Sequence, residues 1–205
     1  MYIRVHPQDP EPRKIASIVE CLKNDGVIIY PTDTVYGIGA SIFSTKATER
    51  IYRIKHLNAK TAKLSIICNS ISELSMYIRS LDTATFKMLK KNLPGPYTFI
   101  LEGSRELPKL LKTKRNTVGI RIPNNKICSA IVEKLGVPII STSLPERANI
   151  EDYTDPEVFA EYFENEVDLI IDGGIGSYIA STVVDCTSVP AVITREGAGL
   201  TELIL

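Results

Sequence analysis

The chain has no tryptophan, only two histidines and four cysteines among 205 residues, and its formal net charge is zero. Each scarcity excludes a class of chemistry. With His6 and His56 as the whole histidine supply, neither a Ser-His-Asp nor a Cys-His arrangement can be drawn, which argues against covalent hydrolase chemistry. Cys21, Cys68, Cys128 and Cys186 stand 47, 60 and 58 residues apart, so no two form a local CxxC pair and no metal site is read from them. Each lies beside apolar residues, and four buried reduced thiols are expected. No apolar run approaches the ~18 residues of a membrane span. The start, Met1-Tyr2-Ile3-Arg4-Val5-His6-Pro7, lacks the apolar core of a secretory signal, so a cytoplasmic protein without membrane contact is expected. There is no Walker A pattern, and Gly37-x-Gly39 is no dinucleotide fingerprint, because the third glycine position is Ile42.

What remains is an ordinary globular composition, with 44% hydrophobic and 23% charged residues, twelve glycines and twelve prolines. The length predicts one domain over residues 1–205, burying roughly 70% of its unfolded surface. The zero net charge conceals an asymmetry. Residues 1–115 carry 19 Lys+Arg against 10 Asp+Glu, a balance of +9; residues 116–205 carry 5 against 14, a balance of −9. If the halves keep to different sides of one fold, the basic side would attract phosphates or nucleic acid. Charges adjacent in sequence need not share a face, however.

Helix and strand signals alternate. Pro12 opens a helix whose Ile15, Ile18, Val19 and Leu22 follow a helical period, closed by Gly26. Further helices are predicted around 45–56, from the capping box Ser70-x-x-Glu73, from Asp82 to about Lys91, from Lys126 to Leu135 and after Thr154-Asp155-Pro156-Glu157. Strands are predicted at 27–30, 64–68, 97–101, 118–122, 137–142, 167–171, 182–186 and 191–194. The last strands follow one another through turns, so an α/β fold with a mixed, not purely parallel, sheet is expected.

Ligands collect where strands of such sheets end, and four places there are polar. Pro31-Thr32-Asp33-Thr34 sets two hydroxyls and a carboxylate after a buried strand; they could hold an amino acid's polar ends or simply stabilise a turn. Arg50, Arg53, Lys55 and His56 with Lys60 and Lys63 suit a polyphosphate or form a solvated face. Arg121 interrupts the apolar strand Val118-Gly119-Ile120-Arg121-Ile122 and needs a carboxylate or phosphate, from a ligand or from the protein itself. Ser141-Thr142-Ser143 closes another strand, and could receive phosphate oxygens or cap a turn.

Taken in order, Pro31-Thr32-Asp33-Thr34-Val35-Tyr36-Gly37, Pro94-Gly95-Pro96-Tyr97-Thr98-Phe99-Ile100-Leu101, Gly119-Ile120-Arg121-Ile122-Pro123, Ser141-Thr142-Ser143, Asp172-Gly173-Gly174 with Ser181-Thr182-Val183-Val184-Asp185, and Arg195-Glu196-Gly197-Ala198-Gly199 resemble the Sua5/YrdC/YciO family over essentially the whole chain. The resemblance implies an open twisted mixed sheet flanked by helices, with a concave basic cavity. It also implies threonylcarbamoyl-AMP synthesis from L-threonine, bicarbonate and ATP with Mg²⁺, serving tRNA modification without a tightly bound cofactor. It assigns Thr32, Thr34, Arg121 and Thr142 to threonine, Lys55, Ser141, Ser143 and Arg195 to the nucleotide, and a catalytic role to Lys55. Two departures fall on the ATP side: the arginine of the family's Lys-x-Arg is Leu57, and an asparagine is replaced at Pro145. That pattern resembles the YciO branch. Lys60 or Lys63 would have to supply the missing charge. The rivals are an enzyme that hydrolyses threonylcarbamoyl-AMP or another acyl-adenylate, and a protein binding tRNA or double-stranded RNA without chemistry.

Overall fold

The computed structural model describes residues 1–58, 64–111, 115–145 and 153–204, the side chain of Leu203 excepted. Ten strands among them form one mixed sheet: β1 (Tyr2–Arg4), β2 (Ile28–Tyr30), β3 (Gly37–Ser41), β4 (Ser65–Ile67), β5 (Tyr97–Glu102), β6 (Thr117–Arg121), β7 (Ile139–Ser143), β8 (Leu169–Asp172), β9 (Thr182–Asp185) and β10 (Val192–Arg195). Their order is β1-β8-β2-β3-β7-β4-β6-β5-β9-β10. Four parallel pairs (β1·β8, β2·β8, β4·β6, β5·β9) are mixed with five antiparallel ones, so the mixed α/β fold class expected from the sequence holds.

The helices form where caps and apolar period coincide. These are α1 (Pro12–Lys23), α2 (Thr45–Ile54), α3 (Ile71–Ser75), α4 (Thr83–Asn92), α5 (Lys126–Leu135) and α6 (Pro156–Phe163). Side-chain oxygens of Ser44, Ser70, Asp82, Asn125 and Asp155 accept the first backbone N–H groups of α2 to α6 in turn. Gly26 does not close α1 by itself. Asp25 takes the positive φ of 60°, while a Cβ on Gly26 would lie 2.5 Å from the Cys21 carbonyl oxygen.

Period-2 alternation distributes the strand residues between the two faces. On one face, Ile28, Tyr30, Ile67, Ile139 and Ile171 meet the buried stripes of α1 (Ile15, Ile18, Val19, Leu22) and α5 (Ile127, Ile131, Val132). Each such side chain contributes about 1.5–3 kcal/mol by leaving water. The opposite face carries Ile29, Ile38 and Ala40 against α2 and α6, and Ile66, Phe99, Val118, Ile120 and Ile140 against Leu74 of α3 and Leu89 of α4. Of the thiols, Cys68 and Cys128 are buried, whereas Cys21 and Cys186 are half-buried, so the expectation of four buried cysteines is corrected to two.

The charged halves do not stay apart. Arg4 pairs with Glu157 and Asp172, and Arg50 with Asp168, each joining the basic N-terminal half to the acidic C-terminal one. No helix among the described residues is long and apolar enough to cross a membrane.

Candidate functional site

The face that α1 and α5 cover at one end is open at the other. There β7, β4, β6, β5 and β9 line a cavity of about 590 Å³, within the usual range for small-molecule sites. Register explains its floor. Ser141, Ser65, Gly119, Ile100 and Asp185 stand opposite one another across five strands, which places them on one face. The residues two positions along, Thr117 and Arg121 on β6, Thr98 on β5 and Ser143 on β7, join them. Small and hydroxylated side chains thus leave the space that helices fill elsewhere. A Cβ on Gly119 would lie 2.6 Å from Ser65 Oγ, so a side chain at this central floor position would have to turn the Ser65 hydroxyl aside.

Among the described residues three arginines, Arg115, Arg121 and Arg195, line the cavity against a single carboxylate, Asp185. Arg121 is engaged on one side only. Its Nη2 donates to Asp33 Oδ1 and Thr34 Oγ1, each at 2.8 Å, and Asp33 also accepts from the Asn124 backbone N–H. The ion pair is nearly buried, with side-chain exposures of 11% and 9%. The internal partner that was one of the two readings of this arginine therefore exists, and among the described residues its buried Nε has no partner. Arg195 donates through Nε and Nη2 to the Ser181 carbonyl and through Nη2 to Ser181 Oγ, which also bonds Thr98 Oγ1 at 2.7 Å. Among the described residues no carboxylate pairs with it. Its pKa is pushed below the usual arginine value, first by partial burial and then by the Arg121 charge. Two guanidiniums lining one cavity concentrate positive charge there and make a site for anionic oxygens.

The structure gathers Arg121, Ser141, Thr142, Ser143 and Arg195 into the cavity lining. Thr34 stands behind Arg121 and touches its guanidinium. Thr32 lies outside the lining. Its hydroxyl bonds the Val35 carbonyl at 2.8 Å and accepts from the Thr34 N–H, so it shapes the turn. Lys55 also lies outside, with Nζ on the Leu144 carbonyl at 3.0 Å and near Ser143 Oγ at 3.5 Å, so it reaches the cavity's edge through Ser143. Lys60 and Lys63 lie outside the described residues. Ser65, Thr98, Thr117 and Ser181 carry no local sequence mark of a site; the alternation Thr117-x-Gly119-x-Arg121 marks a polar strand face, but only strand order joins it to the others.

Leu57 is not a vacancy in a phosphate site. At the end of α2, His56 adopts φ 51°, its N–H bonds the Arg53 carbonyl, and the Leu57 N–H bonds the Tyr52 carbonyl at 2.8 Å. This is the Schellman pattern, which brings Leu57 against the cluster of Tyr52, Ile66 and Ile120 on the face opposite the cavity. Leu57→Arg is therefore expected to lower the thermal midpoint by roughly 2–4 °C, the effect of about 1 kcal/mol at this chain length. A calorimetric melt showing an unchanged or higher midpoint would show that the contact carries no stability.

The Sua5_yciO_yrdC family model, described as telomere recombination, matches residues 20–197. The Escherichia coli K12 protein YciO, described as uncharacterized, is 42% identical over 199 residues, covering 97% of this chain and 96% of that one. Its crystal structure superposes with a TM-score of 0.93 over 100% of this chain and 99% of its own, at 40% identity. A Pyrococcus abyssi threonylcarbamoyl-AMP synthase is 31% identical over 190 residues, covering 90% of this chain. This chain spans 54% of that synthase's length. The structure of Pyrococcus abyssi Sua5 complexed with L-threonine has a TM-score of 0.85 at 30% identity, covering 96% of this chain and 57% of that one.

Proposed function

Because this chain belongs to the Sua5, YciO and YrdC family, we propose that its cavity binds L-threonine and an adenine nucleotide side by side and joins them, with bicarbonate, into threonylcarbamoyl-AMP. The buried Nε of Arg121, without a partner among the described residues, carries the reading. A guanidinium edge without an acceptor is costly to bury, and a ligand carboxylate supplies what is missing. The likeness to a structure holding L-threonine supports the same choice of ligand.

In this reaction the neutral threonine amine takes up carbon dioxide derived from bicarbonate. A carbamate oxygen then attacks the α-phosphorus of ATP, and pyrophosphate leaves with its Mg²⁺. No protein nucleophile is required; positioning and cations do the work. Arg121, oriented by Asp33 and Thr34, holds the threonine carboxylate, with Thr142 beside it. Ser141, Ser143 and Arg195 face the phosphates, where the second guanidinium balances charge gathering on the α-phosphoryl group. Lys55 stands at the edge beside Ser143, where its ammonium answers the outer phosphates. The chain acts as one domain, in the cytoplasm, and tRNA is the recipient of the product, not an occupant of the cavity.

The test is a product assay with L-threonine, bicarbonate, ATP and Mg²⁺, read by mass spectrometry. Threonylcarbamoyl-AMP is expected, formed roughly 30- to 100-fold more slowly than by the Pyrococcus synthase run in parallel, since one transition-state contact worth roughly 2–3 kcal/mol is replaced at Pro145. Breakdown of added threonylcarbamoyl-AMP with no synthesis from the three substrates would favour the hydrolytic alternative instead.

A further inference from the structure

We propose that Tyr30 is a positioning residue that fixes the direction of the Ser141 hydroxyl at the cavity floor, and that Gly37 and Gly39 leave the slot through which it reaches. The functional meaning of this contact rests on the nucleotide reading of the cavity, whereas the contact itself does not.

Tyr30 closes β2 and is fully buried, at 0% exposure. A phenol in that position must place its proton on a protein acceptor, and it donates to Ser141 Oγ at 2.5 Å. Burial pushes its pKa above the usual tyrosine value, so it remains a neutral donor wherever the protein is folded at ordinary pH.

The two residues are not on adjacent strands. β3 lies between β2 and β7, so the ring must pass across its face, over a span of two strand spacings or about 10 Å. On that face β3 presents Gly37 and Gly39 where the ring crosses, with Ser41 beyond them. A Cβ at Gly37 would lie 3.1 Å from Tyr30 Cζ and 3.1 Å from Ser141 Oγ; one at Gly39 would lie 3.0 Å from Tyr30 Cε1 and 2.7 Å from the Ile140 carbonyl oxygen. Neither glycine has a positive φ, so what the positions demand is room and not backbone freedom. This accounts for the Gly-x-Gly pattern that matched no nucleotide fingerprint.

A serine hydroxyl has one proton to donate. With Tyr30 donating onto its oxygen, the Ser141 proton must turn elsewhere, and among the described residues no acceptor takes it. Ser141 is itself 6% exposed and lines the cavity. The phenol thus makes the serine a donor toward the cavity, complementary to an anionic oxygen such as a phosphate oxygen and mismatched to a ligand N–H.

Tyr30→Phe keeps the ring and removes the proton, so a double-mutant cycle with Ser141→Ala isolates the contact. Mg·ATP is titrated into the wild type, both single variants and the double variant. Each single change is expected to weaken binding about fivefold, with the double variant no weaker than Ser141→Ala alone. An unaltered affinity in Tyr30→Phe, or a double variant weakened by the product of the two factors, would overturn the proposal. If the wild type binds no ATP, the nucleotide reading fails, and the contact is judged by proton NMR. A slowly exchanging hydroxyl resonance should be present in the wild type, absent in Tyr30→Phe and displaced in Ser141→Ala; a spectrum in which Ser141→Ala leaves that resonance unmoved contradicts it.

Discussion

Arg121→Ala is expected to lower the unfolding free energy by about 3 kcal/mol and to abolish L-threonine binding. The two effects have different origins. The first arises because Asp33, nearly buried, keeps the Asn124 N–H but loses its countercharge. The second arises because the guanidinium that lines the cavity is gone. Arg121→Lys separates them: an ammonium satisfies Asp33 and Thr34 as a point charge but offers no second donor edge. The lysine variant should therefore unfold in urea within about 1 kcal/mol of the wild type while threonine affinity falls by on the order of thirtyfold or more. A lysine variant that binds threonine as well as the wild type would remove Arg121 from the carboxylate role. An alanine variant as stable as the wild type would show that the internal pair contributes nothing.

Arg195→Gln should do the reverse. Its two donors to the Ser181 carbonyl are lost, which destabilises, but the repulsion from Arg121 and the partial burial of a charge are relieved, which offsets the loss. The thermal midpoint should move by no more than ~3 °C, whereas ATP affinity should drop by roughly 30- to 100-fold, the effect of one charge-assisted contact of about 2–3 kcal/mol. Melting curves and ATP titrations on the same preparation decide it. A large drop in midpoint with unchanged ATP affinity would make Arg195 a structural anchor for the Ser181 turn and nothing more.

These opposite expectations show which parts of the site can be read from a one-dimensional string. Arg121 was legible because a guanidinium within Val118-Gly119-Ile120-Arg121-Ile122 breaks an apolar pattern, and the breach itself poses the question of a partner. The helices were legible for a similar local reason, since caps and stripes are set by residues within a turn or two. β3 was not. Gly37 and Gly39 read as loop, and the cause of their presence, the ring of Tyr30 lying across them, sits on a different strand. β1 was missed too, because a three-residue edge strand carries too short an alternation to register.

The cavity floor was hidden for a topological reason. Ser65, Thr98, Thr117, Ser141 and Ser181 become neighbours only through the order β7-β4-β6-β5-β9, which no local pattern encodes. Leu57 is the instructive case. Against the family motif it looks like a lost phosphate ligand, whereas in the fold it is the apolar contact that seals the end of α2. A departure from a motif can remove one interaction and supply another, and only packing shows the second.

The central claim, that this cavity is a threonine site built on the guanidinium of Arg121, is tested most directly by titrating L-threonine into the wild-type protein in a calorimeter, with Arg121→Lys alongside. Saturable one-to-one binding to the wild type, lost in the lysine variant while that variant melts normally, is the predicted result. Absence of binding to the wild type at millimolar threonine, with and without Mg·ATP present, would contradict it.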